Sequence, residues 1–406
     1  MIQFVIRVVI RAMVQRPRHV MAIPLAGMFA VLVAVGLRAD GPAAAVKIPP
    51  RAERTPAERT ALIRHLRQAY AAAPANWPAP HVDPGVEWRE LGLLPAVDHP
   101  EANPSSTAKA ALGRGLFFDP RLSKTGGMSC GSCHQPDRGW ADGKGVSVPH
   151  GTIAGRNTQT IMNAAFQRHL FWDGRSATLE TQVAEALTNP LEMAATPDHV
   201  IDAVATDPAH SARYAEAFPG RPLEFAAVAA AIACFERTIV GGKSRFDGFL
   251  RGDHAALSDA ELLGLDLFRR EGRCLNCHHG PVFSDGQFHD LGLSFHGRSN
   301  EDLGRFGVTH DPADKGRFRT PSLRDVTNTA PYMHTGMFQL RGVLAMYNAG
   351  MVTLKRQPYE RDDPGFPLKS PLLRPLGFNR QDLADLEAFL GALAEPAPRL
   401  PPSGRE

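Results

Sequence analysis

Cysteine, cysteine and histidine recur at one spacing twice in this chain: Cys130, Cys133 and His134 in CGSCH, and Cys274, Cys277 and His278 in CLNCH. Each reads as CxxCH, in which two thiols about one helical turn apart bond the vinyl groups of a haem while the adjacent imidazole reaches its iron from one side. A chance CxxCH is expected in roughly one chain of this composition in several hundred, so two together are not accidental. A pair of zinc knuckles would use the same thiolates, but such sites set their CxxC pairs roughly 12–20 residues apart. Cys133 and Cys274 are far more distant, and the sequence therefore implies two covalently attached c-type haems. The fifth cysteine, Cys234, lies in the alanine-rich AAVAAAIACFERTI and reads as a buried, inert thiol.

An iron held by one histidine and a porphyrin keeps one axial position, and its occupant separates an electron carrier from a catalyst. A carrier needs both irons capped; a peroxidase needs one open, or capped by a group that leaves.

The elements that must position these ligands share a grammar. LGRGLFFDPRLSKTGGMSCGSCH and LGLDLFRREGRCLNCHHGPVFSDG each run from an apolar helix through a glycine-bearing loop into CxxCH, a weak internal repeat as expected of two related haem units. The second opens with a capping box, Ser258 with Glu261 three positions on. Helical patterns also occupy Ala57 to Ala73, Thr178 to Leu187 and Leu223 to Ile239, and strand-like alternation is scarce. The expected class is mostly α with long loops, two cytochrome c-like haem domains in one chain. We divide it into a signal peptide or anchor (1–39), a Pro/Ala-rich leader arm (40–106), an N-terminal haem domain (107–252), a C-terminal haem domain (253–395) and a tail (396–406). The glycines from Gly241 to Gly252 mark a hinge or linker.

With 406 residues and 43% hydrophobic composition the chain can bury two cores. Its 45 basic and 42 acidic residues are interspersed and form no stripe that would favour nucleic acid. Arg7, Arg11, Arg16 and Arg18 precede an apolar run from Val20 to Leu37, then Arg38, Ala39 and Asp40. That order is a secretory signal with cleavage near Ala39, an uncleaved membrane anchor being the alternative. Either places the remainder outside the cytoplasm, in the periplasm, where haem attachment keeps paired cysteines from forming a disulfide.

LFFDPRLS, CGSCH, RNTQTIMNAAF, FWDGRSATLETQ, NPLEM, CFERTI, CLNCH, GRFRTPSLRDV and TAPYMHTG follow one another in an order that resembles the bacterial di-haem cytochrome c peroxidase family, from about Leu112 to about Gly350. The resemblance implies that hydrogen peroxide reacts at the N-terminal haem, with Glu192 of NPLEM as distal general acid/base and Gln182 orienting the peroxide. Where the family often has a proline in this pocket, the chain has Ala186. The resemblance also implies that Trp172 of FWDGR lies between the haems, that Asn157 with the carbonyls of Thr329 and Pro331 binds a calcium ion, and that His334 borders the second haem. His150, in VPHGTIAGRN, matches a loop histidine that caps the peroxidatic iron in resting members.

The second haem's sixth ligand falls on LRGVLAMYNAG, where peroxidases of the family carry a methionine and the MauG branch a tyrosine. Met346 and Tyr347 are neighbours, about 100° apart on a helix, so one of them faces the iron; alignment on the terminal YN favours Tyr347. A thioether favours ferrous iron, and a phenolate the higher oxidation states. Three readings follow. The first is peroxide reduction with electrons from a small cytochrome c or cupredoxin, the second MauG-like oxidation of residues on a partner protein, the third a non-catalytic di-haem electron carrier.

Overall fold

The same residue pattern builds two helix crossings. In the computed structural model, which describes residues 48–151 and 155–396, the helices are α1 (Pro56–Ala69), α2 (Thr107–Phe117), α3 (Cys130–Cys133), α4 (Leu179–Thr188), α5 (Pro197–Ala205), α6 (Pro208–Ala217), α7 (Phe225–Glu236), α8 (Arg245–Leu250), α9 (Asp259–Arg269), α10 (Phe306–Thr309), α11 (Leu340–Asn348) and α12 (Arg380–Ala392). Two three-residue strands, β1 (Phe288–Asp290) and β2 (Arg317–Arg319), pair antiparallel with His289 opposite Phe318. The fold is therefore mostly α, as expected. The signal or anchor segment, its cleavage point and residues 397–406 lie outside the described residues. No helix among the described residues is long and apolar enough to cross a membrane.

Two hydrophobic cores are present. The first joins Leu112, Leu116 and Phe117 of α2 to Ile232 and Phe235 of α7. The second joins Leu263, Leu267 and Phe268 of α9 to Leu386, Phe389 and Leu390 of α12. Each crossing is set by a glycine. A Cβ on Gly113 would stand 1.9 Å from the Ala231 carbonyl oxygen and 3.0 Å from Phe235 Cβ; one on Gly264 would stand 1.9 Å from the Asp385 oxygen and 2.7 Å from Phe389 Cβ. One turn further on, Phe117 meets Phe235 and Phe268 meets Phe389, both with ring centroids 5.3 Å apart. The repeat legible as LGRGLFF and LGLDLFRR is thus a pair of backbone-to-backbone contacts, each backed by an inclined ring-to-ring contact.

α9 begins as expected, with Ser258 as N-cap and the Glu261 carboxylate accepting from the Ser258 N–H at 2.8 Å. α7 is shorter than the expected Leu223 to Ile239. The supposed linker from Gly241 to Gly252 is instead largely α8, capped by Ser244 with Asp247, and its Phe246 and Phe249 are buried in the second core. Its glycines masked an aromatic pair at helical spacing.

The segment from residue 48 to 91 is fastened to the second core, while Asn103 bonds to Glu180 of α4 and the Ala230 carbonyl of α7 at the first. Leu66, Tyr70, Trp77 and Leu91 are part of the second core. Arg59 donates to both oxygens of Asp385 at 2.5 and 2.6 Å, and Arg51 to both of Asp382 at 2.6 Å. Both aspartates are buried, where a carboxylate is tolerated when bidentately paired.

Candidate functional site

Both CxxCH segments fold so that the histidine presents one defined nitrogen. The His134 N–H returns to the Cys130 carbonyl at 2.9 Å and the His278 N–H to that of Cys274 at 2.7 Å. The His134 ring Nδ1 lies 3.1 Å from the Trp140 carbonyl oxygen and His278 Nδ1 3.0 Å from that of Phe283. A carbonyl only accepts, so Nδ1 carries the proton and Nε2 keeps its lone pair for a metal. Burial lowers the pKa of both rings and keeps them neutral. The two accepting residues, Trp140 (φ 62°) and Phe283 (φ 55°), are both left-handed. That is a strained backbone for an aromatic residue, spent twice to aim one carbonyl at one imidazole.

Both motifs line one cavity of about 770 Å³. Its wall carries charge without a partner: Arg319 is 6% exposed, forms no ion pair among the described residues, and donates only to neutral oxygens of Phe171, Gln167 and Thr320. His334, also on the wall, leaves Nε2 unpartnered. A buried guanidinium without a carboxylate needs an anion. Haem, with its two propionates, supplies one, so the donor set of two thiol pairs, two free imidazole nitrogens and an unpaired arginine fits two haems.

On the side of the first motif, Gln182, Ala186 and Glu192 line the cavity together. Glu192 Oε1 accepts from Asn189 Nδ2 at 2.8 Å and lies 3.8 Å from Arg175 Nη2. Burial raises the Glu192 pKa, with Arg175 and Asn189 pulling the other way, which keeps a protonated fraction at higher pH than an exposed glutamate would. Arg175 is held by Glu185 at 3.0 Å and lies over the Phe171 ring. Sequence reasoning missed Arg175 and Asn189, although each stands within the quoted motifs FWDGRSATLETQ and NPLEM.

Also on the cavity wall, Trp172 Nε1 donates to the Asn157 carbonyl at 2.9 Å, and its ring meets His334 edge-on at 6.3 Å. His334 in turn stacks on Phe318 at 3.7 Å. The Asn157 amide nitrogen donates to the carbonyls of Lys144 and Gly145, which leaves its Oδ1 free of those bonds. Asn157, Thr329 and Pro331 all line this part of the cavity.

Near the second motif, Tyr347 lines the cavity and Met346 does not. The Tyr347 hydroxyl is pushed well above its ordinary pKa by burial and, more weakly, by the Cys277 and Cys274 sulfurs, which places it beside that CxxCH. His150 is on the surface, left-handed (φ 48°), with Nδ1 3.1 Å from Thr125 Oγ1; it is not among the cavity-lining residues. Cys277, Asp285 and His289 offer ligand atoms within 4.8 Å of one another, but that sulfur belongs to the second CxxCH.

A family model described as di-haem cytochrome c peroxidase matches residues 107–255. The chain is 37% identical over 316 residues to the methylamine utilization protein MauG of Methylorubrum extorquens, spanning 75% of this chain and 85% of that protein. It is 35% identical over 367 residues to the cytochrome-c peroxidase IdrP1 of Denitromonas iodatirespirans, spanning 83% and 94%. A solved MauG-like protein associated with microbial copper homeostasis superposes with a TM-score of 0.68 at 34% identity, covering 76% of this chain and 95% of that one.

Proposed function

Since the chain belongs to the di-haem cytochrome c peroxidase family and is a haem-dependent peroxidase, we propose that hydrogen peroxide reacts at the haem held by Cys130, Cys133 and His134, and that the haem held by Cys274, Cys277 and His278 exchanges electrons with it. Bound haem supplies the electrons that split the O–O bond. Glu192 takes a proton from the near oxygen and returns it to the departing one, which leaves as water. Gln182 orients the peroxide, and Asn189 with Arg175 fixes the carboxyl. The observation that carries this reading is the half-buried Glu192, its pKa raised, on the same cavity wall as the first CxxCH. Trp172, on the cavity wall, relays electrons. Calcium at Asn157, Thr329 and Pro331 holds their segments together.

The protein works in the periplasm, and its two haem domains follow the two cores, with α8 in the second. The electrons come from a small cytochrome c or cupredoxin. A second reading, oxidation of residues on a partner protein, is favoured by Tyr347 lining the cavity where Met346 does not; His150 reaches the first iron only if its loop turns inward.

Stopped-flow mixing of the holoprotein with stoichiometric peroxide tests the assignment. Glu192→Gln is expected to slow the reaction by about 10²–10⁴-fold with two haems retained per chain; an unchanged rate removes Glu192 from the mechanism. A second-haem potential that rises in Tyr347→Met supports tyrosine ligation, and an unchanged one excludes it.

A further inference from the structure

Glu236, the last residue of α7, lines the same cavity but takes no part in the chemistry above. It is 4% exposed, and its Oε2 has no hydrogen-bond partner. The adjacent cation cannot neutralise it, because both Nη atoms of Arg237 are committed to Glu180 of α4, at 2.6 and 3.0 Å. The helix that carries it packs in the first core, with Ile232 and Phe235 of α7 buried there. The charged groups that act on it are Arg237 and Glu180. Glu236 itself acts on the Cys130 thiol of α3, as Glu192 does from another part of the wall.

We propose that Glu236 is the proton-coupling group of the first haem: its carboxyl takes up one proton when that haem gains one electron, and releases it on reoxidation. The inference rests on the reading that Cys130 and Cys133 hold a haem. A carboxyl so placed has one variable charge close by, since the iron–porphyrin core carries a net positive charge when ferric and none when ferrous. The cationic state favours the carboxylate and the neutral state the acid. At an effective dielectric of about 20, a unit charge roughly 10 Å away changes an ionisation constant by a factor on the order of ten. Burial already lifts the group to about 8, so the coupling falls in a physiological range. One electron comes from the donor and one proton from solvent through the cavity: an O–H bond of a solvent hydronium ion breaks as an O–H bond forms at Glu236. Its sequence signal was the glutamate of CFERTI, an acidic residue ending a continuous apolar helix.

The test is a spectroelectrochemical titration of the first haem in the full-length holoprotein between about pH 6 and 10. In the parent the midpoint is expected to fall with pH between a low-pH and a high-pH plateau, by about 59 mV in all for a tenfold ratio of ionisation constants and one electron. In Glu236→Gln it should stay flat at the parent's low-pH level, while Glu192→Gln keeps the slope. A slope preserved in Glu236→Gln, or abolished by Glu192→Gln instead, overturns the assignment. Should the variant fail to mature, reduced-minus-oxidised infrared spectra of the parent near pH 8 decide it. A protonated-carboxyl band must appear on reduction, and its absence refutes the proposal. Haem stoichiometry and peroxide reactivity of the parent report separately on the underlying reading.

Discussion

A buried carboxyl without a cation is held protonated by desolvation, and protein stability then depends on pH. Asp290 of β1 is 1% exposed; its Oδ1 accepts from the Gly292 N–H at 2.7 Å while Oδ2 has no partner. Burial raises it to about 6, against smaller downward contributions from Gly292 and Arg317. In the folded chain it stays protonated to about pH 6, whereas unfolded it ionises above about pH 4. Its contribution to stability is therefore complete at about pH 4 and below, and is lost as pH rises to about 6. Asp290→Asn, which preserves the Oδ1 acceptor, is expected to gain on the order of 2 kcal/mol at pH 8 and nothing at pH 4, measured by urea unfolding. An equal gain at both values would refute the ionisation argument. At this scale the sequence was legible where a motif names its chemistry, as with the six residues of the haem-binding pentads other than their variable pairs. It was silent on Asp290 and Arg319, because burial without a partner is not written in neighbouring residues.

Helix crossings set the distance between each haem-bearing loop and its core. Gly113 and Gly264 admit the partner backbone where any side chain would collide with a carbonyl. Gly113→Ala and Gly264→Ala are each expected to destabilise by about 2–3 kcal/mol and to lower haem retention at the CxxCH of the same core. Denaturant unfolding with haem spectra of partly loaded protein checks this. Gly342, exposed on α11 with open space beyond its Cα, is the contrast: Gly342→Ala should stabilise by about 0.5–1 kcal/mol. The repeat in the sequence pointed to two similar elements, and the capping box at Ser258 marked where α9 starts. α8 was missed because the glycines on either side of it read as a hinge. The decisive fact, Phe246 and Phe249 buried against α12 and its surroundings, involves residues far along the chain.

At the level of the whole molecule, Trp172, His334, Asn157, Thr329 and Pro331 come from three separate stretches of sequence and meet in the cavity lined by both CxxCH motifs. A hard cation at Asn157 would stiffen this junction. Chelation of divalent cations from the holoprotein is expected to slow oxidation of the second haem after peroxide is added, with calcium restoring it; stopped-flow absorbance reads the rate, and indifference to chelation removes the ion from the account. The amino-acid order alone determined that two haems attach covalently, that each sits behind an apolar helix, and that the chain resembles one family, because these depend on spacings within a turn or two. Which of Met346 and Tyr347 faces the cavity, where His150 rests, and that a guanidinium and a carboxyl stand unpaired on the wall were decided by tertiary packing alone. Each depends on what the rest of the chain brings, or fails to bring, within a few ångströms.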